Sequence, residues 1–176
     1  MKSVEVLKDN EWLTLNLLKY PEKDIHGYVY SHEKRCGGKI VSIMPYKKTK
    51  DGVEYMLRKE VTPPWHVDKQ IISSITGGVD KDDVLETAVH EILEEAGYTV
   101  YQKDLVSLGT TFGTKSSDTV YYYFTVDVSE LKREIAKGDG SELERKAECV
   151  WSKSVDKAED PLVYVLYYRL NKHLKI

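Results

Sequence analysis

Between two glycines at 77–78 and a third at 97, the chain carries one unbroken helical pattern. That stretch restricts the possible folds more than any other. At ~100° per residue, Val84, Leu85, Ala88, Val89, Ile92, Leu93 and Ala96 fall on one half of the wheel over residues 83–96. A helix with so broad an apolar half has to lie against a sheet or another helix. Glu91 and Glu95 fall at an edge of the stripe, one turn apart, with Glu94 beside them. Carboxylates crowded at the rim of a core are costly unless something positive binds there. Oxygen donors of this kind suit Mg²⁺ or Mn²⁺, which take carboxylates, waters and phosphate oxygens. A solvated helix face would account for the same three residues, so the helix alone does not decide.

Short strands surround this helix. "VEVL" and "WLTLNLL" read as strands around the turn "KDNE", "GYVYSH" alternates, and "KIVSIMPY" is dense enough to be buried on both faces. With "DGVEYMLRKE" it makes residues 39–58 a predicted hairpin. "KQIISSITGG" reads as a single strand entering the glycine turn, and "LVSLGTTF", "TVYYYFTVDV" and "AECVWSKS" as later ones. "SELKREIAKG" (129–138) reads as a helix capped by Ser129 and ended by Gly138, and "DPLVYVLYYRLNKHL" as a terminal helix with Pro161 in its first turn. Strands on both sides of one helix and a second helix at the end define an α/β fold with a mixed sheet.

Composition narrows the function classes. At 176 residues, 41% hydrophobic and 31% charged, the chain suits one globular domain with a substantial core. A net charge of −3 leaves no basic footprint for extended nucleic acid or an anionic membrane. No apolar run approaches membrane-spanning length, and "MKSVEVLKDNEW" lacks a signal-peptide core. Cys36 and Cys149 are too few for a disulfide framework and read as free thiols, so a cytoplasmic location is expected. Histidines 26, 32, 66, 90 and 173 show no zinc spacing.

The stretch "GGVDKDDVLETAVHEILEEAGY" closely resembles the Nudix box, G-x5-E-x7-R-E-U-x-E-E-x-G-U with U aliphatic. Glu91, Ile92, Glu94, Glu95 and Gly97 match its end in register, and Tyr98 takes the last bulky place. With Gly77 as the opening glycine, Asp82 stands for the first glutamate and His90 for the arginine, and the loop is one residue short. The resemblance implies a Nudix-type α/β/α sandwich with a mixed sheet. It also implies a Mg²⁺ (or Mn²⁺) site built from Glu91, Glu94 and Glu95, joined by a loop carbonyl at Thr76 or Gly77. The joint change at Asp82 and His90 leads to the expectation that these two still meet.

Beyond the box, the resemblance is to ADP-ribose and nucleoside-diphosphate-sugar pyrophosphatases, loosely over residues 40–173. It rests on "MLRKE", the segment after "FTVDV" and the late acidic loop "GDGSELERKAECVW". By resemblance that loop supplies Glu144 to the metal and Glu142 as the base that activates water. Glu91 and Glu95 are then catalytic as well as metal-binding. Arg58 and Lys115 are expected near the substrate phosphates, and Trp65, with His66 or Tyr122, near a base or ribose. Residues 1–36 are expected to be an N-terminal strand segment that pairs two copies into a homodimer, with the Nudix domain over 37–176. The implied reaction is Mg²⁺-dependent pyrophosphohydrolysis of a nucleotide-sugar such as ADP-ribose, giving a nucleoside monophosphate and a sugar phosphate. Two rivals share the helix. One is hydrolysis of a nucleoside triphosphate, a dinucleotide or a capped RNA end. The other is a catalytically weak binding or regulatory module, to which the short loop and the changes at Asp82 and His90 point.

Overall fold

The computed structural model describes residues 1–79, 83–138 and 140–176. The first three strands, β1 (Ser3–Asp9), β2 (Leu13–Tyr20) and β3 (Ile25–Glu33), form an antiparallel meander of their own. It touches the rest of the chain at residues 115–118: the Tyr28 hydroxyl donates to the Lys115 carbonyl at 2.5 Å, and His32 Nδ1 lies 3.0 Å from Asp118 Oδ2.

Two further sheets share the core. One has the order β8-β4-β10-β9, from β8 (Ile75–Gly78), β4 (Lys39–Ile43), β10 (Val120–Thr125) and β9 (Val106–Phe112). β4 and β10 run parallel and the other pairs antiparallel, so this sheet is mixed. The other has the order β11-β6-β5, from β11 (Glu148–Ser152), β6 (Gly52–Glu60) and β5 (Tyr46–Thr49), with β7 (Ile71–Ser73) also on β6. Strand alternation sends neighbouring residues to opposite faces. Val41, Met56, Ile75 and Phe124 pack against α1 (Val84–Glu91), whereas Tyr55, Leu57 and Tyr123 pack against α2 (Pro161–Leu174). The outcome is an α/β/α sandwich.

Three sequence expectations are corrected. The hairpin expected over 39–58 is shorter: β5, not β4, is the partner of β6. The chain crosses between sheets at Met44–Pro45, where the Met44 N–H bonds Phe124 O and Met56 N–H bonds Pro45 O. "KQIISSITGG" is likewise two strands, divided at the fully buried Ser74 and belonging to different sheets. Asp160 fixes that division. Its Oδ2 accepts from Ser74 N at 3.1 Å and Ser74 Oγ at 2.8 Å, while Oδ1 caps α2 through Leu162 N at 2.9 Å. Asp160→Ala removes a cap and leaves two buried donors unpaired. A loss of about 3 kcal/mol, or a melting point lower by roughly 6–12 °C, is expected from calorimetry. Asp160→Asn keeps one acceptor oxygen and places an amide donor against the other N–H groups, so it should recover only part of it.

The helix expected over 129–138 is absent; past a turn at Val128–Leu131 the chain is irregular. Its donors serve other elements. Glu134 N–H bonds Gly97 O at 2.7 Å and Gly138 N–H bonds Glu94 O at 3.0 Å, and Arg133 Nε donates to Ala96 O at 2.9 Å. Ser129, expected as a cap, accepts from Lys48 N on β5 at 2.8 Å.

Candidate active site

The glycine-bracketed helix starts where Asp83 caps Leu85 N and Glu86 N, at 3.0 and 2.9 Å. It runs through α1 into a π-helical last turn, Ile92–Ala96, and stops at Gly97 with φ +73°. A side chain at Gly97 would strike the backbone carbonyl of Glu134, so the stop needs glycine on both counts. The buried arc differs from the wheel. Ile92, Glu95 and Ala96 are buried, whereas Leu93, expected on the apolar stripe, is 40% exposed. Glu95 takes the inner place because a cation waits there.

That cation is Arg58. On β6, Met56, Arg58 and Glu60 share one face, so the strand's alternation places an arginine and a glutamate just beyond the apolar part of the core. The Arg58 side chain is 7% exposed. Its Nη1 lies 2.5 Å from Glu95 Oε2, its Nε 3.0 Å from Glu60 Oε2 and its Nη2 3.7 Å from Glu144 Oε1. Glu60 Oε1 accepts from Ser73 Oγ at 2.5 Å, which anchors the assembly to β7. Burial works against the charge on Arg58, yet Glu95 and Glu60 hold its pKa above the ordinary value. Burial also pushes the Glu95 carboxyl up to about 9; Arg58 opposes that rise, and Glu91, Glu144 and Glu60 reinforce it. Glu95 Oε2 has no hydrogen bond of good geometry despite the nearby guanidinium. The neighbouring Cys149 thiol is pushed up to about 12 by burial and by Glu95, which makes it a poor nucleophile. Both cysteines are buried and free.

A cleft of about 260 Å³ opens over this group, lined by Arg58, Glu94, Glu95 and Glu144 and edged by Lys137 and Arg145. Glu91, one turn before Glu95 on the helix, stands against Gly77. A Cβ built on Gly77 would overlap the Glu91 carboxylate and lie 2.6 Å from its Cγ. Gly77 does not need a positive φ, so Gly77→Ala should cost less than ~1 kcal/mol of stability while displacing Glu91. A fall in turnover of roughly tenfold or more, with a melting point lowered by no more than about 4 °C, is the expected result.

The structure thus brings Glu95, Glu94, Glu144 and Arg58 to one cleft, with Glu91 of the same helix packed against Gly77. It does not bring Glu142 there: Glu142 is exposed and makes no ion pair among the described residues. Lys115 lies by the N-terminal sheet, at a separate cavity of about 400 Å³ with Tyr28 and Tyr30. Trp65, 50% exposed, lines another of about 180 Å³ with Glu60, Thr76 and Tyr121. His66 Nε2 is engaged by Glu159 at 3.1 Å, and Tyr122 packs on the core under α1. His90 is exposed and its Nδ1 is 3.4 Å from Glu94 Oε2. The expected meeting of Asp82 and His90 lies outside the described residues. Glu60 is the residue sequence reasoning missed. The signal was there, since the alternation of "MLRKE" puts Arg58 and Glu60 on the core face.

The donors fit a hard divalent cation in kind: oxygen ligands, one of them a buried carboxylate oxygen lacking a hydrogen bond, and a glycine that admits a carboxylate. Among the described residues, no three acidic, histidine or cysteine side chains are already gathered as a metal cage; the carboxylates close on Arg58.

No family model matches the chain, and no curated protein matches it. Among solved structures, it is similar to a protein whose crystal structure is described as an ADP compounds hydrolase. The match has a TM-score of 0.70 and 18% identity, over 98% of this chain and 92% of that one. At that identity the likeness is one of fold. The Nudix-type α/β/α sandwich with a mixed sheet is the fold this chain adopts. Among the described residues no helix is long and apolar enough to cross a membrane.

Proposed function

We propose that this protein is a divalent-metal-dependent pyrophosphohydrolase that cleaves a nucleoside diphosphate linked to a sugar, of which ADP-ribose is the leading example. The observation that carries the reading is the buried Glu95 carboxylate, coupled to Glu91, Glu144 and Glu60 at the floor of a cleft edged by Lys137 and Arg145. A bulk fold has no use for so many acidic groups crowded around one buried position. Support comes from the fold shared with an ADP compounds hydrolase along nearly the whole chain.

Glu91, Glu94, Glu95 and Glu144, with the Gly77 carbonyl, would hold Mg²⁺ or Mn²⁺. When bound, the metal supplies charge neutralisation at the diphosphate and lowers the pKa of water. The chain does the rest. Lys137 and Arg145 attract the diphosphate to the cleft. Glu144 is the loop carboxylate that reaches the cleft and is the better placed to accept the proton of the attacking water. This moves the base from Glu142, whose exposed position keeps it off the cleft floor. Glu60 lines the Trp65 cavity and also grips Arg58, so an aromatic or sugar end of the substrate has a place beside Trp65 next to the carboxylates. The N-terminal sheet exposes Val4, Val6, Tyr28 and Val29, and pairing with a second copy would cover them. A cytoplasmic location goes with the two free thiols.

One observation favours the second reading, a weak or regulatory module: Arg58 already neutralises the cluster from within the chain. Incubation with Mg²⁺ and a panel of ADP-ribose, nucleotide-sugars, nucleoside triphosphates, dinucleotides and capped RNA separates the readings. Cleavage confined to diphosphate-linked sugars supports the proposal. Preferred cleavage of another group reassigns the substrate, and no cleavage of any favours the module.

A further inference from the structure

Among the described residues, the one deeply buried cation of the cleft belongs to the chain itself. Arg58 is 7% exposed and directed at three carboxylates from three elements: Glu60 on its own strand, Glu95 on the helix end and Glu144 on the late loop. His90, on the same helix as Glu95, cannot serve that purpose, being 66% exposed and turned to Glu94. Without Arg58, Glu95 would be a buried carboxylate with no opposing charge, a costly arrangement. With Arg58 in place, any cation arriving at Glu95 and Glu144 has to compete with a guanidinium that is always charged.

We infer that Arg58 is a resident counter-ion that holds the cleft carboxylates in position before a divalent cation arrives and competes with that cation when it does. The inference rests on the reading of the cluster as a cation site, but not on which nucleotide is cleaved. Arg58 is thereby a positioning residue. Committed to Glu95, Glu60 and Glu144, its guanidinium is not offered to substrate phosphates as the sequence led one to expect. Glu60, held by Ser73, sets how firmly Arg58 stays.

Melting curves of the full chain in EDTA and across a Mg²⁺ titration test this without any substrate. Arg58→Met should melt well below wild type in EDTA, and Mg²⁺ should recover most of the loss at a concentration roughly tenfold lower than wild type needs for its own stabilisation. Arg58→Lys keeps the charge without the fork and should fall between the two. Glu60→Gln, which loosens Arg58 without removing it, should shift the Mg²⁺ midpoint in the same direction and covers the case in which Arg58→Met does not fold. The inference is overturned if Arg58→Met and Glu60→Gln respond to Mg²⁺ as wild type does, or if none of the proteins responds. Hydrolysis by wild type is scored separately. A Mg²⁺ shift without cleavage of any nucleotide overturns the enzyme reading alone, and cleavage without a shift overturns this inference alone.

Discussion

Glu95→Gln is expected to lower turnover by ~10²-fold or more while leaving the fold intact and flattening the pH dependence of stability. The catalytic loss follows from removing one carboxylate from the floor of the cleft, where Glu95 stands 2.5 Å from Arg58 and electrostatically coupled to Glu91 and Glu144. The stability effect follows from burial. Burial raises the Glu95 carboxyl although Arg58 opposes the rise, so the folded protein holds that proton more tightly than the unfolded chain, where it is lost at the ordinary carboxylate value. Its contribution is therefore complete below that ordinary value and is lost as pH rises towards and through about 9. Wild type in EDTA should melt progressively lower from about pH 5 to pH 9. Glutamine mimics the neutral acid, so the variant should match wild type at the acid end and exceed it at the alkaline end. Parallel melting curves for the two proteins across that range would contradict the burial account.

Glu144→Gln and Glu142→Gln should separate cleanly. The two glutamates stand two positions apart on the same loop, yet only Glu144 lines the cleft, 3.7 Å from Arg58 Nη2. Glu144→Gln is expected to cut kcat by ~10²-fold or more, the size of a general base's contribution. It should also raise the Mg²⁺ concentration needed for activity, since the same carboxylate serves the metal. Glu142→Gln should stay within a few-fold of wild type in both respects. Loss of kcat in Glu142→Gln alone, with Glu144→Gln active, would show that substrate brings the outer glutamate inward and that the roles are reversed.

What could be read from the sequence was local. The cap at Asp83, the stop at Gly97 and the apolar face through Ala88 and Ile92 are short-range features, and the helix lies where its pattern put it. The strands were legible for the same reason. Their partners were not, because β4 and β5 differ only in what lies across from them: β10 and β8 for one, β6 for the other. The segment 129–138 has helical composition, but its N–H groups are taken by Gly97 and Glu94, which no local pattern reveals. The site divides in the same way. Glu91, Glu94 and Glu95 announce themselves by spacing on one helix. The burial of Glu95 in preference to Leu93 depends on Arg58, 37 residues earlier in the chain, which is visible only once β6 lies beside the helix end. Trp65 and Lys115 stand out in the sequence by their chemistry alone, and in the fold they line different cavities.

Metal-dependent cleavage of a diphosphate in this carboxylate cleft is tested by chromatography of ADP-ribose after incubation with wild type and Glu95→Gln, each in Mg²⁺ and in EDTA. AMP and ribose 5-phosphate are expected from wild type in Mg²⁺, about a hundredth as much or less from Glu95→Gln in Mg²⁺, and intact ADP-ribose from both in EDTA. Equal product from Glu95→Gln, or from wild type in EDTA, would contradict this expectation.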